Sequence, residues 1–187
     1  YLVCRLLLEK KNENGDDTEE AMIRGTALHL LLEHLSALPP AARPDAVPHV
    51  LAIVEELPEE TDRLAEEAIA VLETPELGPF FAPGSLAEVP ISASIEPVGR
   101  IHGIIDRLLV TPDKVIAVDF KSNRTVPATP AEVPEGLLRQ MGAYAAALAQ
   151  IWPGREVETA LIWTATQSYM ALPHDLVSAA LARATTA

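Results

Sequence analysis

The chain has 187 residues, of which 49% are hydrophobic, and its formal net charge at neutral pH is −13. This length and apolar content predict one well-filled domain, residues 1–187, and leave too little chain for a second core of ordinary size. The acidic balance opposes extended binding to nucleic acid, because phosphate binding normally leaves a basic surface. Since the chain opens with Tyr1 rather than methionine, we expect it to be part of a larger protein.

Membrane and redox chemistry find little support in the sequence. The apolar runs are shorter than a bilayer span, and no basic-then-apolar leader opens the chain, so a soluble cytoplasmic protein without membrane contact is expected. The sole cysteine, Cys4, cannot form an internal disulfide, and one thiolate cannot hold a zinc cage or an iron–sulfur cluster. We interpret Cys4 as a small residue packed near the start of the chain.

The charge is unevenly distributed. Residues 100–124 contain five basic and three acidic side chains, whereas the remainder of the chain contains nine basic and 24 acidic ones. The locally basic stretch therefore also carries a cluster of acids. A divalent cation on those acids would make the stretch more positive, but the acidic remainder predicts weak DNA affinity for the isolated chain.

The opening segment, residues 1–24, precedes the part of the chain that carries motifs. Residues 1–9 are apolar and are predicted to form a short helix. Residues 10–20 are polar and contain Gly15 and five acids. That composition predicts a mobile loop.

Three helices are predicted between this segment and the first strand. The first has leucines at helical spacing and is terminated by Pro39 and Pro40. His29 and Glu33 stand four residues apart on a neighbouring face of that helix. A lone helical histidine is most often structural, so His29 requires support from elsewhere before it is treated as a ligand. The predicted helices cover residues 26–37, 46–57 and 59–73, and residues 75–84 are predicted to form a loop.

The second half of the chain is predicted to contain a β-hairpin at its centre. Two runs of apolar and β-branched residues, 101–110 and 115–120, are separated by Thr111-Pro112-Asp113, which are turn-forming residues. An alternating pattern predicts an earlier strand over residues 86–95. The elements predicted after the hairpin are a helix over residues 134–151, strands over 157–164 and 168–172, and a closing helix within 173–187.

Charged side chains interrupt this apolar hairpin. Asp106 lies within its first strand, and alternation places Asp119 and Lys121 on one face at the end of its second strand. Acids inside buried strands are costly unless they are paired or bound to a cation. Carboxylates suit Mg²⁺ or Mn²⁺, and a nearby ammonium suits phosphodiester hydrolysis, whereas the competing interpretation is a buried ion pair. Glu88, near the start of the preceding strand, is either an edge charge or a member of this site.

Four short motifs, in order, resemble those of the RecB-like nucleases of the PD-(D/E)XK superfamily, and most of all the AddAB type of helicase–nuclease. The motifs are Gly-Thr-Ala-Leu-His29, Gly103-Ile-Ile-Asp106-Arg107-Leu108, Val118-Asp119-Phe120-Lys121-Ser122-Asn123-Arg124 and Gln140-Met-Gly-Ala-Tyr144. The resemblance implies a restriction-endonuclease-like α/β (α+β) fold with a mixed central sheet flanked by helices. It also implies a nuclease core over residues 25–172, followed by a C-terminal helix within residues 173–187.

The resemblance further implies roles for individual residues. His29, Asp106 and Asp119 would bind Mg²⁺, with Mn²⁺ as a substitute, and the backbone carbonyl of Phe120 would be a further ligand. Asp106, Asp119 and Lys121 would be the catalytic residues. With this resemblance, a ligand role for His29 becomes the preferred interpretation over a core role.

Residues around these ligands receive weaker assignments. Gln140 and Tyr144 would help to position DNA and the lysine, although a tyrosine on a helix is more often a packing residue. Arg107 and Arg124 are interpreted either as phosphate contacts or as ion-pair partners. The remaining possible site residues are Glu88 and Glu33.

The function implied is metal-dependent cleavage of DNA strands during the processing of double-strand breaks. Single-stranded DNA ends, an AddB-like partner subunit and the helicase part of the same polypeptide are the implied partners. The sequence contains no Gly-x-x-x-x-Gly-Lys-Ser/Thr loop, so this chain is not itself the ATP-driven motor. A rival interpretation is a catalytically silent nuclease-like module that binds DNA or a partner, with its acidic helices as a docking face. Three costly charges at one point favour the enzyme.

Overall fold

Six strands form one mixed β-sheet in the computed structural model, which describes residues 2–3, 15–54, 57 and 59–184. The hairpin and the two later strands predicted from the sequence are confirmed. Helices cover both faces of the sheet, so the predicted α/β class with a mixed, helix-flanked sheet is also confirmed. The strands are β1 (Leu2–Val3), β2 (Ser85–Ile95), β3 (Gly99–Val110), β4 (Lys114–Lys121), β5 (Glu156–Trp163) and β6 (Ser168–Leu172).

The pairing of strands divides the sheet at β3. This strand pairs antiparallel with β2 along its whole length on one side. On its other side it pairs with two strands in succession, parallel with β1 near Ile101 and antiparallel with β4 from Arg107 to Val110. Strand β4 then pairs in parallel with β5, which pairs antiparallel with β6. The last pair of the β3–β4 ladder is Arg107 with Val118. The two strands separate at the next residues, Asp106 and Asp119.

Each face of the sheet has its own hydrophobic core. On one face, the leucine stripe of α1 and the inner side of α3 pack against Val118, Phe120 and Ile162. On the other face, α5 and α6 pack against residues that include Ile105 and Trp163. Burial on both faces explains the continuous apolar runs at residues 115–118 of β4 and 160–163 of β5. The helices are α1 (Gly15–Ser36), α2 (Arg43–Leu51), α3 (Thr61–Glu73), α4 (Gly78–Phe81), α5 (Glu135–Ile151) and α6 (His174–Arg183).

None of the helices in the described part of the chain has both the length and the apolar character required to cross a membrane. The longest, α1, carries many charged residues in its first half. Its buried surface is the leucine stripe, which is covered by α2 and α3 within the domain.

Four predictions for secondary structure were wrong. Helix α1 begins at Gly15 rather than at residue 26, so residues 15–20 are helical rather than a loop. Leu2–Val3 forms a strand instead of a helix, because a distant partner near Ile101 supplies its hydrogen bonds. Residues 4–14, which include Cys4, lie outside the described residues. Helix α2 ends at Leu51 rather than at residue 57, and a short helix, α4, lies inside the predicted loop over residues 75–84.

The close approach of α5 and α6 generates the first prediction. A Cβ atom at Gly142 would overlap the backbone carbonyl of Val177 and lie 3.1 Å from the Cβ of Leu181. Overpacking costs about 1–3 kcal/mol, which outweighs the gain of about 1 kcal/mol for alanine over glycine inside a helix. We expect Gly142→Ala to lower the free energy of unfolding by up to about 2 kcal/mol in urea denaturation.

Gly84→Ala is the matched control. A Cβ there has no neighbour within 4 Å. That substitution should change stability by less than about 0.5 kcal/mol. Equal stability of the two variants would contradict the proposed packing of α5 on α6.

Candidate active site

Asp106 lies at the point where β3 separates from β4. Its Oδ2 atom accepts a hydrogen bond of 2.7 Å from the backbone N–H of Phe120. The carboxylate thus takes the place of the strand carbonyl that would otherwise satisfy this N–H in a continuous ladder. Only 6% of the residue is exposed. The separation of β3 and β4 therefore creates an opening in the sheet, and Asp106 is fixed at the point where this opening begins.

Asp119 and Lys121 meet at the end of β4. The Nζ atom of Lys121 lies 2.6 Å from Oδ2 of Asp119, as expected for side chains two residues apart on a strand. Asp119 is only 4% exposed, and within the described residues its Oδ2 has no hydrogen-bond partner other than this contact. Burial raises the pKa of Asp119, Lys121 lowers it in part, and the charge of Asp106 raises it further. The net direction is upward, so ionised Asp119 is costly without additional positive charge.

Helix α1 brings His29 to this opening. Its Nδ1 atom lies 3.4 Å from Oδ1 of Asp106, and its ring packs edge-to-face on Phe120 with 5.7 Å between centroids. Burial alone would lower the pKa of His29. The hydrogen bond and charge of Asp106, together with the charge of Asp119, nevertheless raise the pKa above its ordinary value. His29 therefore faces two acids rather than packing only as a core residue.

Glu88 reaches the same point from β2, where it lies opposite Asp106 between the paired residues Ala87 and Val89. Its backbone is left-handed, with φ of 48°, a conformation that costs a non-glycine residue about 1–3 kcal/mol. Such strain is typical of residues held in place for function. Burial first, and then the charge of Asp106, raises the pKa of Glu88.

The donor atoms of three of these residues fit a divalent cation. One ligand atom each from His29, Glu88 and Asp106 lies within 4.8 Å of the other two. Carboxylate oxygens with one imidazole nitrogen suit Mg²⁺ or Mn²⁺, and Asp119 adds a poorly compensated negative charge nearby. The predicted ligands His29 and Asp106 come together. Glu88, only a possible member from the sequence, belongs to the cluster, while Asp119 contacts Lys121.

The sequence pattern indicates Glu88 only as a possible site residue, whereas the structure places it among the ligand atoms. Its signal was a carboxylate in an alternating strand that pairs with the strand of Asp106. Only the register of β2 against β3 places the two acids opposite one another. The motif pattern does not contain this register.

Gln140 and Tyr144 lie on α5, on the other face of the sheet. The Tyr144 hydroxyl donates a hydrogen bond of 2.8 Å to the carbonyl of Ile104 and accepts one of 3.1 Å from the Gln140 amide. Tyr144 is 1% exposed, and its ring fills the space that a side chain at Gly103 would require. The pair therefore fixes the backbone of β3 immediately before Asp106. This placement favours a role in positioning the site over direct contact with DNA.

The two arginines of the motifs are placed differently. Arg107 is buried, donates to Ser36 Oγ at 2.6 Å, and lies over the ring of Phe81. This placement favours a structural role for Arg107 over phosphate binding. Arg124 is 62% exposed and pairs with Glu60 at 3.0 Å, which leaves it accessible.

Glu33, the weakest of the sequence candidates, lies one turn beyond His29 and is half-buried. Burial lowers the pKa of Arg107, and the charge of Glu33 partly opposes that shift. Burial and the charge of Asp106 raise the pKa of Glu88, and the charge of Glu33 adds to that increase. Glu33 is therefore near the site electrostatically, but it does not belong to the group of three donor atoms found among the described residues.

A series of buried polar contacts reaches the backbone of Lys121. The sequence analysis did not identify these contacts. Thr164, fully buried after β5, has its hydroxyl 2.6 Å from Glu67 Oε1 and 3.2 Å from the carbonyl of Lys121. The other oxygen of Glu67 pairs with Arg24 of α1. Buried polar groups need such partners. These four residues come from four distant segments, so no local sequence pattern predicts their contacts.

A mixed sheet that separates at two acids and a lysine, with a histidine supplied by the first helix, defines the restriction-endonuclease-like class of α/β fold. Residues 1–184 match the PD-(D/E)XK nuclease superfamily, and the chain belongs to that superfamily. The match confirms the superfamily that the four motifs predicted. No curated protein matches the chain.

The chain is similar to two solved structures to different degrees. A candidate exonuclease from Eubacterium rectale is 14% identical, with 89% of this chain and 64% of that chain covered and a TM-score of 0.59. A protein designated SSO0001 is 16% identical, with 85% and 72% covered, and its TM-score of 0.38 is too low to carry an argument. At 14% identity the first likeness shows the fold alone. The chain spans less than two thirds of the length of the Eubacterium rectale protein.

The charge balance at Asp119 generates the second prediction. Because the pKa of Asp119 is raised in the folded protein, its ionisation destabilises the fold as the pH rises above the ordinary carboxyl range. Asp119→Asn should therefore melt no lower than wild type at neutral pH in EDTA, despite the lost partner of Lys121. Saturating Mn²⁺ should stabilise wild type by about 2.7 kcal/mol at a hundredfold excess over Kd, and the variant by much less.

Thermal melts of both proteins, in EDTA and in Mn²⁺, measure both effects. If the asparagine variant melts far below wild type in EDTA, Asp119 stabilises the fold through Lys121 instead. The predicted stabilisation by Mn²⁺, which assumes that Asp119 carries an uncompensated negative charge, would then be unsupported.

Proposed function

We propose that this domain is a divalent-metal-dependent deoxyribonuclease that hydrolyses phosphodiester bonds in DNA, with Mg²⁺ as its cation and Mn²⁺ as a substitute. The observation that carries the proposal is the convergence of His29, Glu88 and Asp106 beside the pair of Asp119 and Lys121. Membership of a nuclease superfamily supports the same reaction class. A binding module without catalysis would gain nothing from this concentration of buried charge.

The residues divide the chemistry between them. When bound at these ligands, a divalent cation supplies a Lewis acid for the scissile phosphate and lowers the pKa of water. His29, Glu88 and Asp106 would hold the cation. Asp119 holds the ammonium of Lys121 at 2.6 Å, and that ammonium would stabilise negative charge on the phosphate or orient the attacking water.

Two hydrogen bonds restrict movement of this machinery. Asp106 is fixed by the N–H of Phe120, and the backbone at Lys121 is held by the hydroxyl of Thr164. Side chains locked by surrounding bonds hold the reacting groups in productive geometry without reorganisation during the reaction.

The wider setting that we propose is the processing of double-strand breaks before recombinational repair. The four motifs resemble those of AddA, the helicase–nuclease subunit of the AddAB complex, and support an AddA-type exonuclease. In that setting a helicase part of the same polypeptide would deliver single-stranded ends, an AddB-like subunit would be the partner, and the location would be the bacterial cytoplasm. This domain alone would supply the cleavage step.

The third prediction concerns cleavage. Purified protein should degrade single-stranded DNA in Mg²⁺ or Mn²⁺ and be inert in EDTA, as followed on denaturing gels. Asp119→Ala and Lys121→Ala should each lower the rate about 10²-fold or more, because the first removes the carboxylate that holds the ammonium of Lys121 and the second removes the ammonium itself.

Lys114→Ala is the matched control, because Lys114 lies at the opposite end of β4 and pairs with Glu158. Its rate should equal that of wild type. Undiminished cleavage in chelator would contradict a metal-dependent mechanism. Binding of DNA without any cleavage in Mn²⁺ would instead support the silent module.

A fourth prediction follows from the net charge of −13. Isolated protein should bind single-stranded DNA no more tightly than a Kd of about 10⁻⁵ M, and affinity should fall steeply as salt rises. Fluorescence anisotropy in EDTA, across a range of NaCl concentrations, measures this dependence. Tight binding that persists in high salt would show that the acidic surface does not limit affinity.

A further inference from the structure

Two adjoining cavities lie between α1, α3 and the segment that follows β4. The first has a volume of about 420 Å³ and is lined by Arg24, Ser122 and Arg124, among others. The second has a volume of about 440 Å³ and is lined by Arg24, Arg63 and Arg124, among others. Since the two cavities share Arg24 and Arg124, they form one open feature, which we call the arginine cleft. Each part is large enough for a small polar ligand.

The arginine cleft lies beside the metal ligands. Arg124 follows Lys121 by three residues, which span at most about 11 Å of extended chain. Arg24 precedes His29 by five residues of α1, or about 7.5 Å along the helix axis. Helix α1 supplies His29 and Arg24, and the end of β4 with the segment after it supplies Lys121 and Arg124. A ligand that occupies the cleft can extend into the site.

Glu60 holds the two exposed arginines of the cleft together. One of its oxygens, Oε2, lies 3.0 Å from Arg124 and 3.4 Å from Arg63. The side chains of Arg124 and Arg63 are 62% and 66% exposed. Ion pairs at such exposure contribute little to stability, so they exchange readily for another anion. Each guanidinium carries five N–H donors, and most of them stay available.

The third arginine, Arg24, lines the cleft but is largely buried, unlike Arg63 and Arg124. Its side chain is 13% exposed and pairs with Glu67. Glu20 and Glu66 also border the cleft. These carboxylates balance part of the positive charge, which accords with the weak affinity expected for the whole chain.

We infer that Arg63 and Arg124 bind a backbone phosphate of the DNA strand whose scissile bond lies at the metal ligands. Two guanidiniums from separate elements can bind one phosphate from two sides with charge-assisted hydrogen bonds. The span of about 11 Å is an upper limit, and it corresponds to about three nucleotides at the spacing of about 3.4 Å along one strand of B-form DNA, so the bound phosphate lies within about three positions of the cleaved one. The nature of this ligand rests on the proposed nuclease function.

Glu60 competes with that phosphate for the same two arginines. It keeps them in place in the free protein and must release them when the strand binds. Glu60 makes no side-chain capping bond to α3, so Glu60→Gln leaves the start of that helix intact. Removing its charge should therefore tighten DNA binding, whereas removing either arginine should weaken it. Opposite effects from partners in one ion pair distinguish phosphate binding from a structural role.

The test measures binding separately from cleavage. Anisotropy of a labelled single-stranded oligonucleotide is recorded in EDTA at several NaCl concentrations for wild type, Arg63→Ala, Arg124→Ala, the double variant and Glu60→Gln. Each arginine variant should bind about fivefold more weakly near 0.1 M salt, and the slope of log K against log salt should decrease by about 0.7. Glu60→Gln should bind more tightly than wild type. Arg100→Ala, exposed at the far end of β3, is the control and should match wild type.

The outcomes separate this inference from the proposed function. Wild-type cleavage in Mn²⁺, together with unchanged binding and salt slope in the arginine variants, overturns the phosphate site and leaves the nuclease standing. Weaker binding in these variants without cleavage by wild type supports the phosphate site and overturns the nuclease. A protein that neither binds nor cleaves overturns both. Loss of binding in Glu60→Gln, with an unchanged melting temperature, overturns the competition with phosphate.

Discussion

The separation of β3 from β4 at Asp106 is the constraint on which the site depends. A buried backbone N–H must find a partner, and that of Phe120 loses its ladder carbonyl where the strands part. Asp106 supplies the replacement through one oxygen, while the other faces His29. One carboxylate therefore satisfies the last backbone N–H at the end of the ladder and also contributes an oxygen to the site. This double use explains how an acid persists at a position that is 6% exposed.

The two hydrophobic cores place this site between rigid elements. One core orients α1 and therefore His29, and the other orients α5 and therefore Tyr144, which holds the backbone just before Asp106. Packing on both faces of the sheet fixes the distances between groups that come from five separate segments. Preorganisation of this kind matters most where charges are close, because small displacements change their interaction strongly.

Local patterns were sufficient for the hairpin, the leucine stripe of α1 and the pairing of Asp119 with Lys121. They carry this information because alternation and helical spacing depend only on neighbouring residues. The sequence could not predict β1, whose hydrogen bonds come from a partner about a hundred residues away. Nor could it predict the burial of Arg107 or the contact between Thr164 and Lys121, since both depend on how α1 and β5 pack against the hairpin.

The left-handed backbone of Glu88 has a consequence for protein engineering. Glycine and asparagine accept this conformation more easily than glutamate does, so either would relieve strain at that position. A random library selected for heat resistance alone would therefore enrich those two residues at position 88. Each would remove a carboxylate from the group with His29 and Asp106. Stability and metal affinity therefore favour different residues at position 88, and a useful library would keep glutamate there.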